Sequence, residues 1–296
     1  MKKILSLLLI LMLTFTLALS FVSCTQTEDP DEETETPDDP TKNVDFQLSL
    51  DKEYYIVTGY GIRFDSIVEI PAEHEGKPVK AIGDRAFSQS TLAKQNLKEI
   101  IIPESVSIIG DYAFADCSLL EKVTIKGVIT KIGEGAFSYC QALKSISLPE
   151  GLIEIGDNAF DVCSVLEPMT IPSTVEKIGI DAFRSCAKIT GVKATSFDGV
   201  YTLPTPNGAW VLKATRTLTD ANLPDNAVGI AGGAFKNCSS LKVVEIPKNV
   251  MYIGENAFYG VTTLTTVNYS NTQAKWYTIT IEEGNIPLLN ATINCE

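Results

Sequence analysis

The sequence contains few of the side chains on which enzymes and metal sites depend. It has one histidine, His74, and two tryptophans in 296 residues. A Ser-His-Asp or Cys-His arrangement would have to use this single histidine. The sequence also lacks a phosphate-binding loop, a paired CxxC motif and an HExxH motif. An enzyme is therefore the least supported class of function, and it would need a cleft rich in carboxylates with perturbed pKa values.

Basic residues are also scarce. The chain has 24 Lys and Arg against 37 Asp and Glu, so its formal net charge is −13. Without Lys2 and Lys3 the net charge is −15, and residues 41–296 alone carry −7. Nucleic-acid binding needs clustered Lys and Arg. The charge balance therefore predicts no nucleic-acid partner.

The first residues have the pattern of a secretory signal. Lys2 and Lys3 precede an apolar run over residues 4–22, and small Ser23 follows the run. Polar residues dilute the run, and no basic flank follows it. We therefore expect a cleaved signal peptide over residues 1–23 and not a transmembrane helix.

Cys24 is the candidate lipidation site. Residues 21–24, Phe-Val-Ser-Cys, resemble a bacterial lipobox, in which the cysteine receives a diacylglycerol and becomes the new N-terminus. Residues 25–40 hold eight acidic residues and three prolines but no aliphatic side chain, which predicts a disordered tether over residues 24–43.

These features predict a protein that is secreted across the cytoplasmic membrane and held by its lipid at the cell surface or outer membrane. An ordinary signal peptide with an incidental cysteine is the alternative. The pattern leaves open whether the envelope is monoderm or diderm.

What the sequence does contain is a short phrase repeated seven times: Ile-Gly or a near relative, two further residues, then Ala-Phe. Successive copies are separated by 27, 23, 23, 23, 52 and 23 residues. A period of about 20 to 30 residues predicts a solenoid, in which each unit buries its apolar face against its neighbours. Such a fold presents an extended surface, so the first functional expectation is binding. The copies end at Phe87, Phe114, Phe137, Phe160, Phe183, Phe235 and Phe258.

Each unit has three parts. An Ile-x-Ile alternation ending in Pro, as at Ile100, Ile102 and Pro103, predicts a short strand that the proline ends. Val-x-x-Ile-Gly predicts a second extended piece closed by a glycine turn, and Ala-Phe-x-x-Cys predicts a single helical turn with Phe facing inward. Stacking at the strand spacing of about 4.8 Å would align identical side chains in ladders of Ile, Phe and Cys.

This pattern resembles the BspA-type leucine-rich-repeat family of bacterial surface proteins, whose units carry the same strand-Pro, Val-x-x-Ile-Gly and Ala-Phe-x-x-Cys elements. The resemblance covers roughly residues 54–293. The expected fold is a leucine-rich-repeat solenoid over residues 44–296, an α/β repeat of short parallel β-strands and short helical turns. We expect about eight to nine units of about 23 residues.

The repeat has two irregularities and two ends. Four extra residues near residues 91–95 are expected to form a surface loop. The 52-residue gap holds a degenerate unit and an insertion, about residues 195–217, that is predicted to be a β-hairpin. Residues 54–78 resemble the opening cap of the family, and residues from about 269 to 296 resemble its closing cap.

Five cysteines occupy the third position after Phe. Disulfide bonds or a metal ladder are the functional hypotheses for a secreted chain. We favour buried free thiols, because Ser90 and Val261 hold the same position in other units and a small filler therefore suffices. Cys295 is expected to be unpaired, with a bond to Cys238 as the alternative. The five cysteines are Cys117, Cys140, Cys163, Cys186 and Cys238.

His74 lies between Glu73 and Glu75. The three side chains suggest a metal site, but adjacent residues cannot easily converge on one ion. We therefore expect an exposed polar loop here. No metal and no cofactor are predicted for the protein.

Two sets of residues are candidates for ligand binding. Side chains that point outward from successive strands would tile the exposed sheet, but they include no Trp, Tyr or Arg, so a solvated sheet is the default interpretation. Tyr201 and Trp210 on the predicted hairpin are the better local candidates, unless they only pin the hairpin to the solenoid. The outward candidates are Ile101, Thr124, Ser147, Thr170, Lys193 and Glu245.

The resemblance implies adhesion. We expect a non-enzymatic, monomeric protein that presents a rigid solenoid to protein or glycan ligands, with host extracellular-matrix proteins as one ligand class. The alternative is a structural scaffold of a bacterial cell-surface complex without a host ligand. Because the repeated residues face inward, we expect ligand specificity to reside where the repeat fails.

Overall fold

Short strands and a few short helices make up the part of the chain that the computed structural model describes, which is residues 43–62, 65–191 and 199–296. No helix in these residues is long and apolar enough to cross a membrane. The helices are α1 (Thr91–Asn96), α2 (Ala187–Gly191), α3 (Gln273–Trp276) and α4 (Ile286–Asn290). The strands are β1 (Val44–Leu48), β2 (Tyr55–Tyr60), β3 (Ile67–Glu69), β4 (Glu73–His74), β5 (Lys77–Ile82), β6 (Glu99–Ile102), β7 (Ile108–Ile109), β8 (Lys122–Ile125), β9 (Lys131–Ile132), β10 (Ser145–Ile146), β11 (Glu154–Ile155), β12 (Lys177–Ile178), β13 (Val200–Thr205), β14 (Gly208–Ala214), β15 (Asp220–Asn222), β16 (Ala227–Ile230), β17 (Val243–Ile246), β18 (Tyr252–Ile253), β19 (Thr266–Tyr269), β20 (Thr280–Ile281) and β21 (Thr292–Cys295).

The strands form two pairs of sheets. The first block, residues 43–191, supplies one sheet in the order β1-β2-β5-β7-β9-β11-β12, with β4 beside β5, and one in the order β10-β8-β6-β3. The second block, residues 199–296, supplies sheets in the orders β13-β14-β16-β18-β20 and β15-β17-β19-β21. Pairing is antiparallel at β1–β2, β4–β5 and β13–β14 and parallel at the other strand pairs of the described residues. The predicted leucine-rich-repeat solenoid is confirmed, with about 10 turns of ~23 residues.

Each unit buries the same positions, and for this reason the strands stack in register. In β6, Ile100 and Ile102 are fully buried, whereas Ile101 between them is partly exposed. Ile100 pairs with Val123 of β8, and Ile146 of β10 pairs with the same valine. A lone unit would leave this apolar side in water, so the units are stable only as a stack.

The Ala-Phe segment consists of tight turns and not of the predicted helical turn. Tyr112 and Asp116, which flank Phe114 at a distance of two residues, have left-handed φ values of 55° and 62°. An α-helix does not accommodate such residues. The Phe114 N–H donates to the Ala136 carbonyl of the next unit at 2.8 Å. The turns therefore exchange hydrogen bonds between units, in what we call the turn ladder.

The repeated phenylalanines stack along the turn ladder. Their ring planes are nearly parallel, at 2° to 14°, and their centroids lie 4.7 to 5.4 Å apart. One run extends from Phe87 to Phe183 in the first block, and a second joins Phe235 to Phe258. The inward-facing Phe of the predicted unit is thus confirmed in both blocks.

The extra residues near 91–95 form helix α1, and the prediction of a surface loop was wrong. Ser90 caps this helix, because its Oγ accepts a hydrogen bond from the Ala93 N–H at 3.1 Å. Ala93 is fully buried. Four residues make about one helical turn, so the insertion is accommodated with one side against the core.

The two ends of the described array differ from its regular units. At the start, β1 pairs with β2, and β2 carries the first parallel pairing, to β5. At the end, Asn285 is 1% exposed and closes the turn ladder: its Oδ1 accepts from the Phe258 N–H, and its Nδ2 donates to the Gly254 carbonyl, both at 2.9 Å. Trp276 is buried against Tyr269, with 5.4 Å between ring centroids.

Candidate binding site

The stack of repeat units changes between Phe183 and Phe235, a region that we call the junction. The predicted hairpin, β13 and β14, is inserted here. Strand β14 pairs in parallel with β16, which places Trp210 beside Gly229 and Val211 beside Ile230. The hairpin is therefore a strand of the second block and not a free projection.

Two elements join the second block at neighbouring residues. The Gly232 N–H donates to the Ile178 carbonyl at 2.9 Å, which continues the strand ladder of the first block. The Ala231 N–H donates to the Val211 carbonyl of the hairpin at 2.8 Å. The first block and the hairpin thus meet the same turn, and two openings lie around this meeting point.

The larger opening, the junction groove, has a volume of about 590 Å³. Trp210 and Tyr252 form its floor, with their rings edge to face and 5.8 Å between centroids. Gly229 pairs with both residues and needs to be glycine, because a Cβ there would lie 2.6 Å from the Trp210 ring. The rim of the groove carries Glu176, Lys177, Asn207, Asn249 and Glu282.

The Tyr252 hydroxyl is a buried polar group with no hydrogen-bond partner in the described part of the chain. Tyr252 is 8% exposed. Burial raises its pKa, and the nearby carboxylates of Glu282, Asp157 and Glu154 add to the rise. The hydroxyl therefore stays protonated at neutral pH, and it can donate to the Glu282 carboxylate on the rim or to a group that enters the groove.

The smaller opening, the junction cleft, has a volume of about 310 Å³. It lies between the turn that holds Phe183 and the turn that leads to Phe235. The Arg184 guanidinium is held by Asp161, with Nε 2.9 Å from Oδ1 and a second contact from Nη2 to Oδ2. The charged residues that line the cleft are Asp181, Arg184, Lys213, Arg216 and Lys236.

The two hairpin candidates have different positions. Trp210 is 2% exposed, so it both packs the hairpin onto the second block and lines the groove. Tyr201 is partly exposed and lies farther along the hairpin, opposite Lys213.

Two outward candidates of the first block lie on strands, and their sheet is not the sheet of the hairpin. Ile101 and Thr124 are cross-strand neighbours in β6 and β8 and are partly exposed. Ser147 follows β10, and both Ser147 and Thr170 are exposed. The structure therefore brings Ile101 and Thr124 together but does not join them to Trp210.

The remaining outward candidates are Glu245 and Lys193. Glu245 lies in β17, where its Oε1 accepts from Asn268 Nδ2 at 2.6 Å, and Asn294 continues this polar row at 2.8 Å from Asn268. Lys193 lies outside the described residues, as does Cys24. The predicted row is thus split into separate rows of the two blocks.

The five repeat cysteines are buried. The thiol of Cys140 donates to the Phe114 carbonyl at 3.2 Å, and the thiol of Cys163 repeats this contact one unit later. Burial raises the pKa of Cys117 to about 12. Cys238 and Cys295 are free thiols, so the alternative bond between them is not formed. The ladder therefore packs the core and has little thiolate at neutral pH.

His74 lies in strand β4 and not in a loop, and it is partly exposed within an aromatic cluster, whereas its neighbours Glu73 and Glu75 are exposed as predicted. Its ring stacks on Phe46 with 4.1 Å between centroids, and Tyr55 meets it edge-on at 4.7 Å. Across the described ranges, no group of three or more His, Cys, Asp or Glu could hold a metal ion. His74 thus contributes packing to the opening cap.

Several residues of the junction have no signal in the repeat pattern. Tyr252 occupies an ordinary outward position before Ile253, and only the register with Trp210 places it in the groove. Lys213 and Arg216 are separated from Lys236 in the sequence by the degenerate unit. The 52-residue spacing located the junction, but it did not encode which side chains meet there.

The family model described as BspA type leucine rich repeat region matches six copies, over residues 68–190 and 208–283. A leucine rich cell surface protein from Faecalibacterium prausnitzii is similar at 20% identity and a TM-score of 0.41, covering 80% of this chain and 96% of that chain. A leucine rich repeat protein of T. pallidum is similar at 24% identity and a TM-score of 0.40, covering 78% and 85%.

A leucine-rich repeat protein from Bacteroides ovatus is similar at 23% identity and a TM-score of 0.44, covering 81% of this chain and 66% of that chain. No curated protein matches the chain.

Proposed function

The chain belongs to the BspA-type leucine-rich-repeat family, and we propose that it is a non-enzymatic binding protein held at the bacterial cell surface by a lipid on Cys24. In this proposal the array is a rigid support that contacts protein or glycan ligands outside the cell, host extracellular-matrix components among them. The apolar run, the lipobox-like residues 21–24 and the acidic tether support export and anchoring.

The contrast between the regular repeat units and the interrupted junction supports the binding role. The repeated side chains face inward, and the hydrogen bonds of regular units are used between units. The junction instead opens a groove with an aromatic floor and a polar rim. Grooves that combine apolar floors with a few convergent polar groups are the usual form of ligand sites.

The experiment compares two surfaces of the same protein. The full-length protein is assayed for binding to immobilised host extracellular-matrix proteins, to glycan arrays and to bacterial surface extracts. Asn207→Arg with Asn249→Arg adds bulk and charge at the groove rim, and Ser147→Arg with Thr170→Arg makes the matched change on the first block. All four side chains are exposed, so we expect every variant to fold.

Loss of ligand binding in the groove variant alone is the expected result. Loss in the Ser147 and Thr170 variant alone would move the binding surface to the outward row. Capture of bacterial surface components without any host ligand would support the scaffold alternative, and absence of binding to every class of material would overturn the proposal.

The anchor has its own test. We expect cells that produce the protein to incorporate labelled palmitate into it, and Cys24→Ala to abolish the label and release the protein. A wild-type protein without label would show that residues 21–24 act as an ordinary cleavage site.

A further inference from the structure

Each regular unit passes at least two backbone N–H groups forward to the next unit. In the unit of Phe160, the Asn158 N–H donates to the Ile180 carbonyl and the Phe160 N–H donates to the Ala182 carbonyl, both at 2.8 Å. The same two bonds occur in the other described units, with one exception. Even in the last unit, where no repeat follows, the Asn285 side-chain oxygen accepts from the Phe258 N–H.

The exception is the unit of Phe183 at the junction. The N–H groups of Asp181 and Phe183 have no acceptor among the described residues. The Ala234 carbonyl, which has the position of the missing acceptor, accepts instead from the Ala214 N–H of the hairpin at 2.8 Å. Phe183 is only 4% exposed, and orphaned N–H groups at such depth are rare in proteins.

These two donors face the junction cleft. In the other units the equivalent N–H groups point toward the following unit, and at the junction that direction is occupied by the cleft, which Asp181 and Phe183 both line. Gly233 lines the cleft beside the Asp181 donor, and a Cβ there would lie 3.9 Å from the Asp181 nitrogen, at van der Waals contact. The cleft therefore presents two parallel donors to whatever enters it.

The cleft also carries an excess of positive charge. Lys213, Arg216 and Lys236 line it, and within the described residues none of them forms an ion pair. The charge of Arg184 is matched by Asp161, and Asp181 contributes one carboxylate. Since residues 41–296 carry a net charge of −7, this cluster is a local exception.

We propose that the junction cleft binds the carboxylate or sulfate group of an acidic glycan. Backbone N–H groups in a concavity, supported by Lys and Arg, are the usual means by which proteins bind oxyanions. The Asn285 oxygen on the Phe258 N–H shows, within this chain, that a side-chain oxygen fits the position. The cleft volume suits one sugar-sized group, and its walls of Gly232, Gly233 and Ala234 lack the aromatic anchors of protein interfaces.

This inference rests on the proposed function, because it takes the ligand to be a glycan presented outside the cell. The test uses full-length protein labelled with ¹⁵N-phenylalanine, which gives at most 12 amide signals. Phe183→Leu identifies the Phe183 signal. The protein is titrated with glucuronate, with glucose 6-sulfate, with inorganic sulfate and with neutral glucose.

We expect a saturable shift of the Phe183 signal with one or both anions and none with glucose. The Phe137 signal should stay unchanged, because its N–H is already bonded to the Ala159 carbonyl. The anion that shifts the signal identifies the group. No shift with either anion, or inorganic sulfate binding as tightly as the sugars, would overturn the proposal.

Two double substitutions distinguish anion binding in the cleft from a general effect of positive charge. Lys213→Gln with Lys236→Gln should weaken anion binding about tenfold, since charge-assisted hydrogen bonds contribute on this scale. The matched control is Lys242→Gln with Lys248→Gln, two exposed lysines that do not line the cleft. Equal weakening by both pairs would contradict the site.

Gly233→Asn blocks the cleft without a change of charge. The chain already has Asn158 and Asn256 at the equivalent position, with φ of 53° and 56°, so the variant should fold. We expect loss of the Phe183 response. If the protein still binds its surface ligand after these substitutions, the cleft assignment is overturned and the proposed function stands. If the Phe183 signal responds to the anions but no surface ligand is found, the proposed function is overturned and the cleft assignment stands.

Discussion

The step from Phe160 to Phe183 and the step from Phe183 to Phe235 show what repetition and its interruption each contribute. In the first step the rings stack at 5.3 Å and the unit satisfies its neighbour's backbone. In the second step a hairpin is inserted, two openings result, and the N–H groups of Asp181 and Phe183 have no acceptor in the part of the chain that the structure describes. In a regular unit the equivalent N–H groups are already bonded to the next unit and cannot bind a ligand. The regular units therefore stabilise the fold, and the junction provides groups that can bind a ligand.

The largest expected effect concerns the phenylalanine ladder. Phe137 stacks on both sides, at 5.2 and 5.4 Å, whereas the described stacking of Phe183 is on Phe160 alone. Phe137→Ala should lower the free energy of unfolding by about 3 to 5 kcal/mol, and Phe183→Ala by about 1 kcal/mol less because one aromatic contact is missing. Urea denaturation measures both, and equal losses would show that the junction packs as tightly as the array.

The next effect concerns the floor of the groove. Gly229→Ala brings a Cβ within 2.6 Å of the Trp210 ring and should destabilise the protein by about 1 to 3 kcal/mol. In a Trp210→Ala background the same substitution should have a much smaller effect, because the clash is gone. A double-mutant cycle by urea denaturation checks this; additive effects would mean that the ring does not lie over Gly229.

Thiol labelling should show a difference of intermediate size between the regular array and the junction. Cys140 donates to a Phe carbonyl at 3.2 Å, whereas Cys238 near the junction lies 3.7 Å from the Thr215 carbonyl. We expect iodoacetamide to modify partly exposed Cys295 first, and Cys238 about tenfold faster than Cys140 because the junction opens more easily. Mass spectrometry of the native protein follows the order, and faster labelling of Cys140 would reverse the comparison.

The same thiols predict a pH dependence. Burial raises the pKa of Cys117 from 9.0 to about 12, so the folded state keeps a proton that the unfolded chain releases above pH 9. This contribution to stability is complete below pH 9 and is lost as the pH rises toward 12. The free energy of unfolding should therefore fall with pH in this range, and less steeply for Cys117→Ala. Identical slopes would contradict the assignment.

The smallest effect is expected on the outer face. Lys122 Nζ lies 2.6 Å from Glu99 Oε1, and the lysine side chain is 56% exposed. Such pairs contribute little, so Lys122→Ala should change the free energy of unfolding by less than about 0.5 kcal/mol. A loss comparable to that of Phe183→Ala in urea denaturation would show that the outward rows also stabilise the stack.

The inward positions were predictable because each is repeated with the same physical requirement. Ile100, Ile102 and Phe114 are buried in the structure as their periodicity indicates. The helix α1 was predictable in principle, since Ser90 is a strong N-cap residue. Local patterns of this kind need no knowledge of distant parts of the chain.

The site depends on contacts between residues that the repeat pattern does not predict. The Phe183 N–H has no acceptor among the described residues, because Ala214, 31 residues later, takes the Ala234 carbonyl. His74 is only partly exposed because the ring of Phe46 in β1 stacks on it. Both features depend on tertiary contacts between residues that are distant in the sequence. The sequence contains these residues but does not show which of them meet.

The two hydrogen-bond ladders of the array run in opposite directions. The Gly156 N–H donates backward to the Ile132 carbonyl, whereas the Phe137 N–H donates forward to the Ala159 carbonyl, both at 2.8 Å. At the junction the forward ladder is cut and the sheet of the first block ends at β12, and the backward bond from the Gly232 N–H to the Ile178 carbonyl remains. A stabilising substitution on one side of the junction should therefore be transmitted to the other side less fully than between two regular units.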